Sequence, residues 1–110
     1  MRVLFDQGTP DPLRALLTTH IVSTTFELGW SKLRNGDLLN SAELGGYEVL
    51  VSTDQSLKYQ QNLSARRIGI VVLLTTSWPR IQRAIPFVVS AVDTASPGSY
   101  TEVDIPYLES

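Results

Sequence analysis

Cysteine is absent from this 110-residue sequence, and histidine occurs once, as His20. The first absence excludes a disulfide framework and any thiolate metal site. The second excludes a site built on paired histidines. A long apolar run is also missing: Ile68–Leu74 is the longest, strand-sized and far short of the ~20 residues a membrane-spanning helix needs. The opening Met1-Arg2-Val3-Leu4-Phe5-Asp6 is too short and too acidic for a signal peptide. A phosphate-cradling glycine loop is absent, since Gly36, Gly45 and Gly46 read as a turn and a cap. No motif around His20 supports a Ser-His-Asp triad; it reads as a surface or packing residue. These absences together fit a cytoplasmic protein without membrane contact.

Acidic residues are missing from one stretch. Between Gln55 and Val92 the chain carries Lys58, Arg66, Arg67, Arg80 and Arg83 and no acid. The remainder carries four basic and eleven acidic residues, for a net charge of −2. A basic face beside an acidic pocket suits a polyanionic substrate with a bound metal. Each arginine taken singly reads equally well as part of a solvated helix face.

What is present is a globular balance of 43% hydrophobic and 18% charged residues, enough for one domain over residues 1–110. Arg2–Phe5 reads as a first strand and His20–Thr24 as a second. Between them Pro10 and Pro12 open a short helix carrying Leu13, Leu16 and Leu17. Asn35 is the expected N-cap of a helix that ends at Gly45-Gly46. Tyr47–Val51 reads as a third strand, Ser56–Asn62 as a short helix, and Ile68–Leu73 as a central strand covered on both faces. After Ser77-Trp78-Pro79, apolar residues from Ile81 to Val92 recur at helical spacing, with a kink expected at Pro86. Tyr100–Ile105, stopped by Pro106, suits an edge strand. Alternating strands and helices predict a three-layer α/β fold: a mainly parallel sheet of about five strands with helices on both faces.

Three carboxylates then attract attention. Asp6 and Asp54 each follow an apolar strand, so parallel pairing sends both to the carboxyl edge of one sheet. Asp37 opens the helix before the third strand, and a crossover helix has its amino terminus at that same edge. Carboxylates packed together repel unless a cation neutralises them, and an oxygen-only donor set suits Mg²⁺ or Mn²⁺. Singly, each has an ordinary reading: a turn at Asp6, dipole complementation at Asp37, an N-cap at Asp54. Trp30 and Trp78 could stack on bases or simply pack at helix ends.

Leu4-Phe5-Asp6, the stretch Asp37-Leu38-Leu39-Asn40-Ser41-Ala42, and Ser52-Thr53-Asp54 resemble the motifs of PIN-like nucleases. The closest resemblance is to the small single-domain group read as toxins of toxin–antitoxin pairs. It implies a metal-dependent ribonuclease in which Asp6, Asp37 and Asp54 hold Mg²⁺ or Mn²⁺. It also implies RNA and an antitoxin protein as partners, and a possible homodimer. Lys58, Arg66 and Arg67 are then the expected phosphate contacts, and the amide-rich run Lys58–Leu63 a further RNA contact. Two departures stand out: Asp6-Gln7-Gly8 replaces a more polar run, and Asp54-Gln55-Ser56-Leu57 lacks the group's next acid. They imply the alternative of a catalytically weakened binding or regulatory module acting through a protein partner.

Overall fold

The structure is a computed structural model that describes residues 1–59 and 62–105. Gln60, Gln61 and Pro106, which figure in the expected helix, amide run and strand stop above, lie outside the described residues. Five strands, β1 (Arg2–Phe5), β2 (Ile21–Thr24), β3 (Val49–Ser52), β4 (Gly69–Leu73) and β5 (Tyr100–Val103), pair in parallel throughout. Their spatial order is β2-β1-β3-β4-β5. This is one of the two common doubly wound orders, and the chain reverses direction across the sheet between β1 and β3.

Side chains alternate across a strand, so each strand feeds two cores. Val3, Phe5, Val49, Val51, Val71 and Leu73 point to one face. There they meet Leu13 and Leu17 around the 3-10 helix Asp11–Leu16, together with α2 (Trp78–Gln82) and α3 (Ile85–Thr94). Leu4, Leu50, Ile70 and Val72 point to the other face, against α1 (Asn35–Leu44) and the short 3-10 turns carrying Leu57 and Leu63. All nine residues of β3 and β4 are buried, the continuous apolar character expected of central parallel strands. The three-layer α/β arrangement is therefore as expected, and among the described residues no helix is long and apolar enough to cross a membrane.

Local differences have local causes. The helix expected to kink at Pro86 is two helices, broken at Arg83 and Ala84. Pro86 sits in the first turn of α3, where its missing N–H has no helical partner to lose. The first and third expected helices are 3-10 turns, the form common in connecting segments of a few residues. Asn35 is the first residue of α1, and Arg34 occupies the cap without a side-chain hydrogen bond.

One ion pair fastens the second layer. Arg66 Nη1 donates to Glu43 Oε1 at 2.8 Å and to Asn40 Oδ1 at 2.6 Å, and the Arg67 N–H donates to Glu43 Oε2 at 2.6 Å. Burial pushes the Glu43 carboxyl up, but Arg66 and the Arg67 amide outweigh it and hold the group below its usual range. Glu43→Ala leaves the Arg66 charge partly buried without its carboxylate. The expected loss is about 2 kcal/mol, below that of a fully buried pair, with the urea midpoint as the measurement.

Candidate functional site

The β1–β3 register builds the site. Phe5 lies opposite Val51, and the Asp6 N–H donates to the Val51 carbonyl at 2.9 Å, which sets Asp6 beside Ser52. Asp6 and Ser52 continue the alternation of Leu4 and Leu50 toward the α1 side of the sheet, and Asp54, beyond the end of β3, is met there by Asn35 of α1. Ser52 is fully buried and links the two acids. Its hydroxyl donates to Asp6 Oδ2 at 2.9 Å and accepts the Asp54 N–H at 3.0 Å. From the first turn of α1, Asn35 Nδ2 donates to Asp54 Oδ2 at 3.4 Å.

Each carboxylate also does the ordinary work expected of it. Asp6 Oδ1 accepts the Gln7 N–H at 2.8 Å, and Asp54 Oδ1 accepts the Ser56 N–H at 2.9 Å and its hydroxyl at 2.6 Å. These are turn and cap bonds. The two environments nevertheless push the acids apart. Burial raises the Asp6 carboxyl above its ordinary value, with the neighbouring Asp54 charge adding to the rise. The Ser56 hydroxyl, helped by its N–H and by Asn35, lowers Asp54. Neighbouring titratable groups driven in opposite directions are a recurring property of functional sites.

Gly8 closes the loop over this edge. At φ +89°, a side chain there would be strained, and an added Cβ would lie 2.7 Å from Thr53 Oγ1. Thr9 Oγ1 donates to the Val51 carbonyl at 3.1 Å, so the segment after β1 is bound down onto the end of β3. Beside it, at the ends of β1 and β2, lies a cavity of about 510 Å³ lined by Asp6, Asp11, Arg14, Thr25, Phe26 and Glu27, among others.

The remaining expected site residues are scattered. Asp37 is exposed in the first turn of α1, and among the described residues no group of three or more His, Cys, Asp and Glu side chains is placed to hold a metal ion. The expected three-carboxylate cluster is thus a pair. Lys58 follows β3 at the correct edge, but its Nζ donates to Glu102 Oε2 at 3.1 Å, an oxygen that also accepts the Tyr100 hydroxyl at 3.1 Å. Burial, then Glu102, pushes Tyr100 up to about 12. Arg66 and Arg67 precede β4 and sit at the amino edge, a strand length of about 13 Å from the acids. Arg80 donates to the Ile105 carbonyl at 2.6 Å. The five cations of the acid-free stretch therefore form no single basic face: sequence adjacency carries no information about which sheet edge a residue reaches.

His20 and both tryptophans take packing roles. The largely buried His20 ring bonds Asp93 of α3 through Nε2 at 2.6 Å, and Trp30 meets Tyr47 edge-on at 6.1 Å. Ser52 and Asn35 are site residues that the sequence reading did not include; a lone serine ending an apolar strand is the usable signal for Ser52. Lys32 and Arg34, exposed on the segment leading into α1, also lie at the carboxyl edge. No protein-family model, curated protein or solved structure matches the chain.

The pH behaviour of Asp6 has a definite sign. Its folded-state proton affinity exceeds that of the unfolded chain, so stability falls as pH rises from the ordinary 3.8 toward the raised value. The penalty persists at neutral pH. Asp6→Asn removes it, and thermal melts should place the variant above the wild type at pH 7. The gap should close once both states are protonated, below about 3.8.

Proposed function

We propose that this chain is a phosphodiester hydrolase acting on RNA with the help of Mg²⁺ or Mn²⁺, with Asp6 and Asp54 as its protein ligands. The observation that carries the reading is the pairing of two carboxylates through Ser52 at the switch point of a doubly wound sheet, the crevice where such sheets bind ligands. The donor set fits a hard ion that takes one or two carboxylates and keeps several waters. A cation would also relieve the burial cost of ionising Asp6.

Such an ion, when bound, supplies charge stabilisation at phosphorus and an acidified water. The other tasks fall to the chain. Ser52 fixes both carboxylates, and Asn35 orients Asp54 from α1. Exposed Lys32 and Arg34 would take phosphate oxygens and set the position of the backbone. Lys58 could join them only by leaving Glu102. The motif resemblance extends the reading to a toxin held in check by an antitoxin protein. A second reading, a weakened module acting through a protein partner, is favoured by the presence of two clustered acids rather than three.

Millimolar Mn²⁺ should raise the melting temperature of the wild type and of Asp37→Asn, but of neither Asp6→Asn nor Asp54→Asn. The absence of any shift in the wild type would leave only the second reading. In an RNA cleavage screen, Asp54→Asn should lower the rate more than about 100-fold, beyond what loss of an outer-shell partner causes. Expression of the wild type should slow bacterial growth and Asp54→Asn should not; equal growth inhibition by both would exclude hydrolysis at this site as its cause.

A further inference from the structure

Phe26 is 82% exposed, yet it stands on a turn held by reciprocal side-chain and backbone bonds. The Thr24 N–H donates to Glu27 Oε1 at 2.9 Å, and the Glu27 N–H donates back to Thr24 Oγ1 at 3.1 Å. This is the reciprocal geometry of a capping box. Backbone bonds from Thr25 to the Phe5 carbonyl at 3.0 Å and from Trp30 to the Thr25 carbonyl at 2.8 Å tie the turn to β1 and to its own exit. Arg14 forms an ion pair with Glu27 from the opposite wall. The turn therefore holds the Phe26 backbone in place and presents a large apolar ring to solvent. Burial does not account for a ring left in water, because it contributes almost nothing to the core.

The ring's surroundings narrow its use. Phe26 and Asp6 line the same cavity of about 510 Å³, a volume within the range that holds drug-sized ligands. Arg14 neutralises Glu27, and the other charged lining groups, Asp6 and Asp11, are both acids. An acid-lined space repels phosphate but accepts hydrogen bonds from the ring N–H and amino groups of a nucleobase. An aromatic ring beside such acceptors is the arrangement by which single strands are held, each base offering a π-face regardless of its identity. A paired base inside a duplex cannot reach it.

We infer that the Phe26 cavity is a base-stacking subsite, in which one unpaired base of the proposed RNA substrate is seated on Phe26 next to the scissile phosphate. The assignment rests on the phosphodiesterase reading for RNA as the occupant and for the position of the phosphate. Stacking on Phe26 needs neither metal nor hydrolysis and is tested separately.

The test is fluorescence anisotropy in EDTA, where cleavage is suppressed. The probes are a short mixed-sequence single-stranded RNA, the same strand with central abasic sites, and the strand annealed to its complement. The wild type should prefer the intact single strand. Phe26→Ala should weaken that binding about tenfold, as loss of one stacked base does, and Phe26→Tyr should restore it. The duplex and the abasic strand should be insensitive to either change. The high exposure of Phe26 keeps the fold out of question, and Phe26→Ala should retain the Mn²⁺-induced rise in melting temperature. Equal binding of the intact strand by wild type and Phe26→Ala overturns the inference. So does equal binding of intact and abasic strands, or no RNA binding at all, which would leave Phe26 as a contact for a protein. Loss of the Mn²⁺ shift in the wild type with stacking intact would instead overturn the hydrolase reading alone.

Discussion

The pairing of β1 with β3 is the constraint on which the rest depends. These strands are adjacent in the sheet, yet the whole of β2 and α1 lies between them in sequence. Their register, Phe5 opposite Val51, decides which side chains enter each core and which polar groups meet at the carboxyl edge. A slip of one residue by either strand would turn its own leucine, Leu4 or Leu50, out of the α1 face. Burial of β3 and β4 on both faces makes that shift expensive, because apolar surface would be exposed in two layers at once. The site at the edge inherits its geometry from this packing.

Much of the fold was legible because it is written in periodicity. Short apolar runs ending in turn residues identified the first four strands and side-chain alternation the fifth, and the interleaving of strands with helical segments gave the layer arrangement. The places where sequence reasoning fell short share one cause: dependence on neighbours distant in the chain. Pro86 had to be inside a helix or at the start of one, and only the packing of α2 and α3 against the same core decides. Asn35 looked like a cap, and instead reaches Asp54 across the edge of the sheet.

The same limit divides the candidate site. Asp6 and Asp54 were readable because strand ends fix both position and side of the sheet. Asp37 was placed at the correct edge by topology, but an exposed first-turn residue is not directed inward by that placement. Arg66 and Arg67 were grouped with Lys58 by charge, although the return segment before β4 carries them to the opposite edge. There they join Glu43 in holding the second layer together. Charge counts along a chain describe composition; only the strand direction assigns a cation to a site.

The parity of Asp6 and Ser52 with Leu4 and Leu50 has a consequence for how such a sequence can change. The residues that make the edge polar and those that fill the α1-side core are threaded on the same two strands in a fixed alternation. An insertion or deletion within either strand therefore cannot misplace the carboxylates while sparing the core. Loops beyond Gly8 and Ser56 can lengthen, shorten and change chemistry without passing through that alternation. The loops can vary in length and chemistry, while any lineage that keeps the fold keeps the register that places positions 6 and 52 side by side.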